Sequence, residues 1–315
     1  MSRQLAKRAP LLKNYDSTSL QPTSDSECDH EIDVYILSLE TILLKIRFPS
    51  RSMCIRISDF LCLREGALLN DVIIDFYINH IAAHLLPDDS VDQTSQKKYP
   101  DFHYDDRSQV DYWLEQEDVF DADFLVLPIN HNQHWSLVVV CSPMLSIKNS
   151  YESNTHDSSL SPLLIIFDSQ QPVDASLKSN ILSTMQQFLE LAFARRSSTL
   201  SGGRFRSDCF KCVIPKNLPQ QKNNVDCGIY ILEYARRFLL SPPPIDCLQS
   251  EVFDFLSFYP DFDVSDKRCE IQHTVLSLCS DYEIWRNLLN TVDVPFEYRS
   301  IPLHLQFLKT CHLSA

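Results

Sequence analysis

Three short runs rich in Val, Ile, Leu and aromatic residues, 124–127, 135–141 and 163–167, follow one another closely, each bounded by Pro, Asn, His or Ser. Runs of this length and composition are those of strands buried on both faces, and together they predict a central sheet. The surrounding segments have a different period. Over 70–86 the apolar positions Val72, Ile73, Phe76, Tyr77, Ile81 and Leu85 recur at three- and four-residue steps, which predicts an amphipathic helix capped by Asn70 or Asp71. Helical periodicity returns over 177–193, and a further helix is expected over 228–240, stopped by Ser241 and Pro242-Pro243-Pro244. Short strands are expected at 34–39, 42–48 and 54–57, and helices at 110–117, 266–279 and 282–290.

Polar stretches separate these elements. Residues 87–107, 142–162 and 195–206 are expected as surface loops, the last carrying four arginines around Gly202-Gly203. The first thirty-one residues are Ser, Thr, Asp and Pro with little periodicity, which predicts a flexible tail. Its acidic end, from Asp25 to Asp33, is a solvated segment or a docking strip for a basic partner. The whole chain of 315 residues carries 28 Lys and Arg against 42 Asp and Glu, a formal charge of -14 that opposes binding to a phosphate backbone. Nucleic acid is therefore not an expected partner. No stretch approaches the ~18 uncharged apolar residues of a membrane span, so no membrane partner is expected. The basic N-terminus is not followed by an apolar core, and eleven cysteines without a repeating spacing fit reduced thiols inside a cell. Cys209-Phe210-Lys211-Cys212 is at most half a zinc site, since no second ligand pair accompanies it, and no metal is expected.

One cysteine stands apart. Cys227 lies between the polar loop 220–226 and the start of the helix over 228–240, where the positive end of the helix dipole favours the thiolate. Gly228, one of only four glycines, follows it and implies close packing or an approaching substrate backbone. A buried structural cysteine at a helix start would look the same. A cysteine nucleophile needs a base and an orienting group on rigid elements. His134 precedes the strand that Trp135 opens, with His131 as competitor, and Asp168 ends the strand 163–167, where it could otherwise cap a turn. Gln221, with Gln220 as rival, can offer an amide to an oxyanion beside the Cys227 backbone N–H.

These residues carry a resemblance. Pro219-Gln220-Gln221-Lys222-Asn223-Asn224-Val225-Asp226-Cys227-Gly228-Ile229-Tyr230 resembles the P-Q-Q-x-N-x-x-D-C-G-x-Y block of the Ulp/SENP cysteine proteases, which process SUMO and related modifiers. His134-Trp135 and Phe167-Asp168-Ser169 match two further elements of that family, and Leu69-Asn70-Asp71-Val72-Ile73-Ile74-Asp75-Phe76-Tyr77 resembles its L-N-D-x-x-I-x-F-Y helix, best in the branch that trims SUMO chains. The resemblance runs from about residue 55 to 278. It implies an α+β, papain-like cysteine protease fold: a central mixed sheet flanked by helices, with the nucleophile at a helix N-terminus. One catalytic domain over 32–290, with the three loops as insertions, would lie between the tail and a C-terminal extension over 291–315.

The resemblance also implies roles. Cys227 is the nucleophile, His134 the base, Asp168 the orienting acid and Gln221 the oxyanion donor, while Trp135, Leu68, Asn70, Asp71, Gln220 and Gly228 line the path of a Gly-Gly tail. The family often has Trp where Leu68 stands, and its His-to-Asp interval lacks the loop 142–162. The implied activity is cleavage after the tail of SUMO, freeing lysines of conjugates and trimming chains, without cofactor or metal. SUMO or its conjugates would be the partner and the nucleus the location, with the cytoplasm as alternative; the oligomeric state is left open. The rival activities are a protease for another ubiquitin-like modifier, such as a deneddylase, and a module that binds such a modifier without cutting it. Separately, the arginines of 195–206 could recruit an acidic partner.

Overall fold

In the computed structural model the chain runs β1 (Ile42–Arg47), β2 (Ser52–Arg56), α1 (Asp71–His80), β3 (Lys97–Lys98), β4 (Phe124–His131), β5 (His134–Cys141), β6 (Ile147–Asn149), β7 (Leu163–Phe167), α2 (Ala175–Arg196), β8 (Gly203–Phe205), β9 (Lys211–Val213), α3 (Cys227–Leu240) and α4 (Lys267–Leu278), with one-turn helices between them. The structure describes residues 39–48, 52–85, 97–98, 118–149, 161–173, 175–196, 203–249 and 253–279. The expected tail over 1–31, nearly all of the strand over 34–39, the helices over 110–117 and 282–290 and the extension over 291–315 lie outside these residues. The chain divides into Met1–Thr41 and Ile42–Ala315, and every element named here belongs to the second unit.

The expected central sheet is present and mixed, in the order β3-β4-β5-β7-β9. Its middle pairs, β4 with β5 and β5 with β7, are antiparallel, and its outer pairs, β3 with β4 and β7 with β9, are parallel. β4 runs four residues beyond the expected strand, through Pro128 to His131. Among the described residues β3 pairs only with Phe124 and Leu125, so Pro128 lies beyond that pairing on the outer side of β4, where a missing N–H is tolerated. The hairpin then closes through Asn132 and Gln133, both with positive φ (52° and 66°), as a two-residue hairpin turn with the right twist requires.

Alternation along the strands divides the core in two. Leu125, Leu127, Val138, Val140, Leu164 and Ile166 form one buried cluster with Ile181, Met185, Phe188, Leu189 and Ala192 of α2. On the other face Phe167 stacks on Tyr234 and meets Phe238 edge-on, so α3 is pressed against the sheet by aromatic rings. Each such side chain buried from water contributes about 2 kcal/mol. Two expected loops contain strands: β6, within 142–162, pairs antiparallel with β8, within 195–206. Strands of three residues show no periodicity, which is why the sequence reads as loop there.

Candidate active site

The sheet register brings the base and the acid together. Leu137 lies opposite Phe167, so Ser136 falls opposite Asp168, and His134 shares the face of Ser136 two residues away. His134 Nε2 accordingly donates to Asp168 Oδ1 at 2.8 Å, Ser136 Oγ donates to Asp168 Oδ2 at 2.8 Å, and the Gln170 backbone N–H donates to Oδ1 at 2.8 Å. Asp168 is 1% exposed, so these three donors replace water around its charge. With Nε2 committed to the carboxylate, Nδ1 is the nitrogen left for the thiol.

Cys227 is the first residue of α3 and is 1% exposed. Its Sγ lies 4.0 Å from the Gln133 carbonyl in the β4–β5 turn, which places the thiol beside the residue that follows, His134. The bond to Asp168, joined by the Cys227 thiol, pushes the His134 pKa up from 6.5 to about 9, against the opposing effect of burial. The imidazolium is thus favoured at neutral pH, and a thiolate beside it has its counter-ion in place. The competitor His131 is exposed, and among the described residues its ring meets its neighbour Asn132.

The other expected residues fall into two groups. Trp135 points from the opposite face of β5 and donates its indole N–H to the Leu69 carbonyl at 3.0 Å, which joins it to the segment holding half-buried Leu68. Gln221 is anchored beside Asp168: its Oε1 accepts from Ser169 Oγ at 2.5 Å and its backbone N–H donates to the Ser169 carbonyl at 3.0 Å. Its Nε2 donates one hydrogen to the Asn223 carbonyl at 2.5 Å, so the amide keeps one further N–H for an oxyanion.

Three residues expected along a substrate tail also have partners within the protein. Gln220 Nε2 donates to the Leu218 carbonyl at 2.8 Å and its Oε1 accepts from the Gln171 N–H at 2.7 Å. Asn70 caps α1, accepting from the Ile73 N–H at 3.1 Å, and donates to Asp59 Oδ1 at 2.8 Å. Gly228 packs closely on Leu69: a Cβ there would lie 2.8 Å from Leu69 Cβ, as the close-packing reading expects. Asp71 lies half-buried in the first turn of α1.

Sequence reasoning missed Arg268, on α4. Its guanidinium binds Asp226 Oδ1 through Nη2 at 2.6 Å and also donates to the carbonyls of Cys62, Arg64 and Ala67 at 3.1, 2.9 and 2.7 Å. A single arginine on a helix carries no local signal of such partners. Among the described residues, no group of three or more His, Cys, Asp or Glu is placed to hold a metal.

A thiol at a helix N-terminus, facing an imidazole that a carboxylate orients from a neighbouring strand, is the site architecture of papain-like cysteine proteases. The chain belongs to the Ulp1 protease family, whose C-terminal catalytic domain it matches over residues 67–272. It is 36% identical over 277 residues to Ubiquitin-like protease 4 of Caenorhabditis elegans, covering 80% of this chain and 66% of that one. It is 27% identical over 282 residues to Ubiquitin-like-specific protease 2 of Schizosaccharomyces pombe, covering 77% of this chain and 43% of that one. The chain thus spans from under half to about two thirds of the length of these relatives. A crystal structure of a de-sumoylating protease shares the fold, with a TM-score of 0.53 at 20% identity over 78% of this chain and 95% of that one.

Proposed function

We propose that this chain is a thiol-dependent isopeptidase that cleaves after the Gly-Gly tail of SUMO, with Cys227 as nucleophile, His134 as general base and acid, Asp168 as orienting group and Gln221 as oxyanion donor. The observation that carries the proposal is the convergence of a 1%-exposed thiol at the start of α3 with the 2.8 Å His134–Asp168 pair, in a chain of this family. Burial of the thiol also selects the substrate. With Trp135 tied across to Leu69, only a tail without side chains reaches the sulfur, and glycine is the residue that passes.

The cycle follows from the geometry. With the proton already on His134 as imidazolium, the Cys227 thiolate Sγ attacks the carbonyl carbon of the terminal glycine. The Cys227 N–H and the second N–H of the Gln221 amide hold the oxyanion. As the tetrahedral centre collapses, the C–N bond to the lysine breaks and the imidazolium proton goes to the leaving amine. Water, deprotonated by His134, then releases the thioester. Relatives named for ubiquitin-like proteins support the substrate class, and the segment that forms α1 extends the proposal to trimming of SUMO chains.

The test is covalent labelling by C-terminal electrophile probes built on SUMO, ubiquitin and the Nedd-type modifier, beside Cys227→Ser. Labelling by the SUMO probe that the substitution abolishes is the expected result. Preferential Nedd-type labelling overturns the substrate, and labelling that survives Cys227→Ser overturns the nucleophile.

A further inference from the structure

Asp226 occupies the N-cap position of α3, and an aspartate there ordinarily turns its carboxylate onto the free N–H groups of the first helical turn. This one does not: its φ and ψ of -93° and 7° are not those of a capping residue, and it makes no side-chain cap bond. The carboxylate is turned away. Oδ1 accepts from Arg268 Nη2 at 2.6 Å and Nε at 3.2 Å, and Oδ2 accepts from Asn223 Nδ2 at 2.6 Å. Arg268 is itself fixed, because its remaining donors reach the carbonyls of Cys62, Arg64, Ala67 and, at 3.5 Å, Val225.

We propose that Arg268 is a positioning residue for the nucleophile: it holds the Asp226 carboxylate off the N-terminus of α3, leaving the N–H groups of that turn to the Cys227 sulfur and the oxyanion. A carboxylate folded back over the turn would place a negative charge beside the thiolate and occupy the donors that the reaction needs. The charged groups around the sulfur are then His134 and Asp168 from the sheet side, Asp226 from the preceding loop and Arg268 behind it. Arg268 also fixes 62–67, the segment that leads directly into Leu68 and Leu69, so one side chain sets both the nucleophile's environment and the wall against which Trp135 closes. The proposal rests on Cys227 being the nucleophile.

The experiment needs no ubiquitin-like substrate. The rate of Cys227 alkylation by iodoacetamide is followed in the full chain at neutral pH by residue-resolved mass spectrometry, in wild type, Arg268→Ala, Arg268→Lys, Asp226→Ala and the double variant Arg268→Ala with Asp226→Ala. Arg268→Ala is expected to slow alkylation about tenfold, the upper range for charge at a helix terminus. Arg268→Lys, which keeps the charge but loses the fork, falls between. The double variant recovers to within about threefold of wild type, because the offending carboxylate is gone. Wild-type speed in folded Arg268→Ala, or a double variant as slow as the single one, overturns the proposal. If neither Arg268 variant folds, Asp226→Ala decides: a rate at or above wild type supports the assignment, and a tenfold loss overturns it. A wild-type chain that alkylates rapidly but reacts with no modifier probe overturns the proposed substrate while leaving this test intact.

Discussion

His134 is held between two partners, and its titration reports both. The bond to Asp168 is the largest cause of its rise to about 9, so the proton that the leaving amine needs is present at neutral pH and lost as pH climbs through that value. A fluorogenic substrate is therefore expected to show an alkaline limb in kcat/KM near pH 9. Asp168→Asn should move that limb down toward the free value of about 6.5 and lower kcat, because the remaining amide no longer favours the cation. A limb that stays in place would assign it to another group. The same linkage acts on stability: the raised pKa of the folded state stabilises the protein fully below pH about 6.5, and that contribution fades as pH rises through about 9. Cys227, His134 and Asp168 were legible in the sequence because each sits at the end of a strongly patterned element, so pattern alone places it near an edge. The different settings of Gln220 and Gln221 were not, because they come from Ser169 and the carbonyls of 218–219, which only the folded loop brings near.

At the scale of elements, the β4–β5 turn carries strain where it meets the thiol. Asn132 adopts the left-handed region readily, but Gln133 holds φ at 66° with a Cβ, and its carbonyl is the one beside Cys227. Gln133→Gly is expected to stabilise the fold by about 1 kcal/mol, relief of strain outweighing the added freedom of the unfolded chain. Chemical denaturation measures this; an unchanged or lower midpoint would show that the turn is not strained. The contact of α3 with the segment before α1 behaves oppositely. Gly228→Ala puts a methyl 2.8 Å from Leu69 Cβ, with backbone rather than a flexible side-chain end behind it, and should cost about 2 kcal/mol in the same assay. The long elements α1, α2, α3 and the strands β4, β5 and β7 were visible from periodicity and composition. The three-residue strands β6, β8 and β9 were not, because pairing partners distant in sequence create them and no local preference does.

For the molecule as a whole, a buried ionic cluster joins α1, α3 and α4. Lys267 is 4% exposed; its Nζ lies 2.7 Å from Glu233 Oε2 and 2.5 Å from Glu270 Oε2, and sits over the Tyr77 ring at 5.5 Å from the centroid. Glu233, 1% exposed, also meets Arg237 at 2.5 Å and Arg236 at 3.3 Å. Nothing local announces this cluster, since in a chain of formal charge -14 any single Lys or Glu reads as surface. Its worth depends on which bond is cut. Lys267→Ala leaves a buried carboxylate short of one partner and opens space between three helices, so unfolding should become easier by about 3 kcal/mol. The Arg237–Asp261 pair, although only 2.6 Å long, involves a carboxylate 75% exposed to water, and Asp261→Ala should leave the urea midpoint where it was. The neighbouring positions 267 and 268 then separate two roles on one helix. Folded Lys267→Ala at low denaturant should alkylate Cys227 at the wild-type rate while unfolding at lower urea, whereas Arg268→Ala slows the thiol itself. If Lys267→Ala slowed alkylation as much, the placement of α4 as a rigid body, and not the fork of Arg268, would be what tunes the nucleophile.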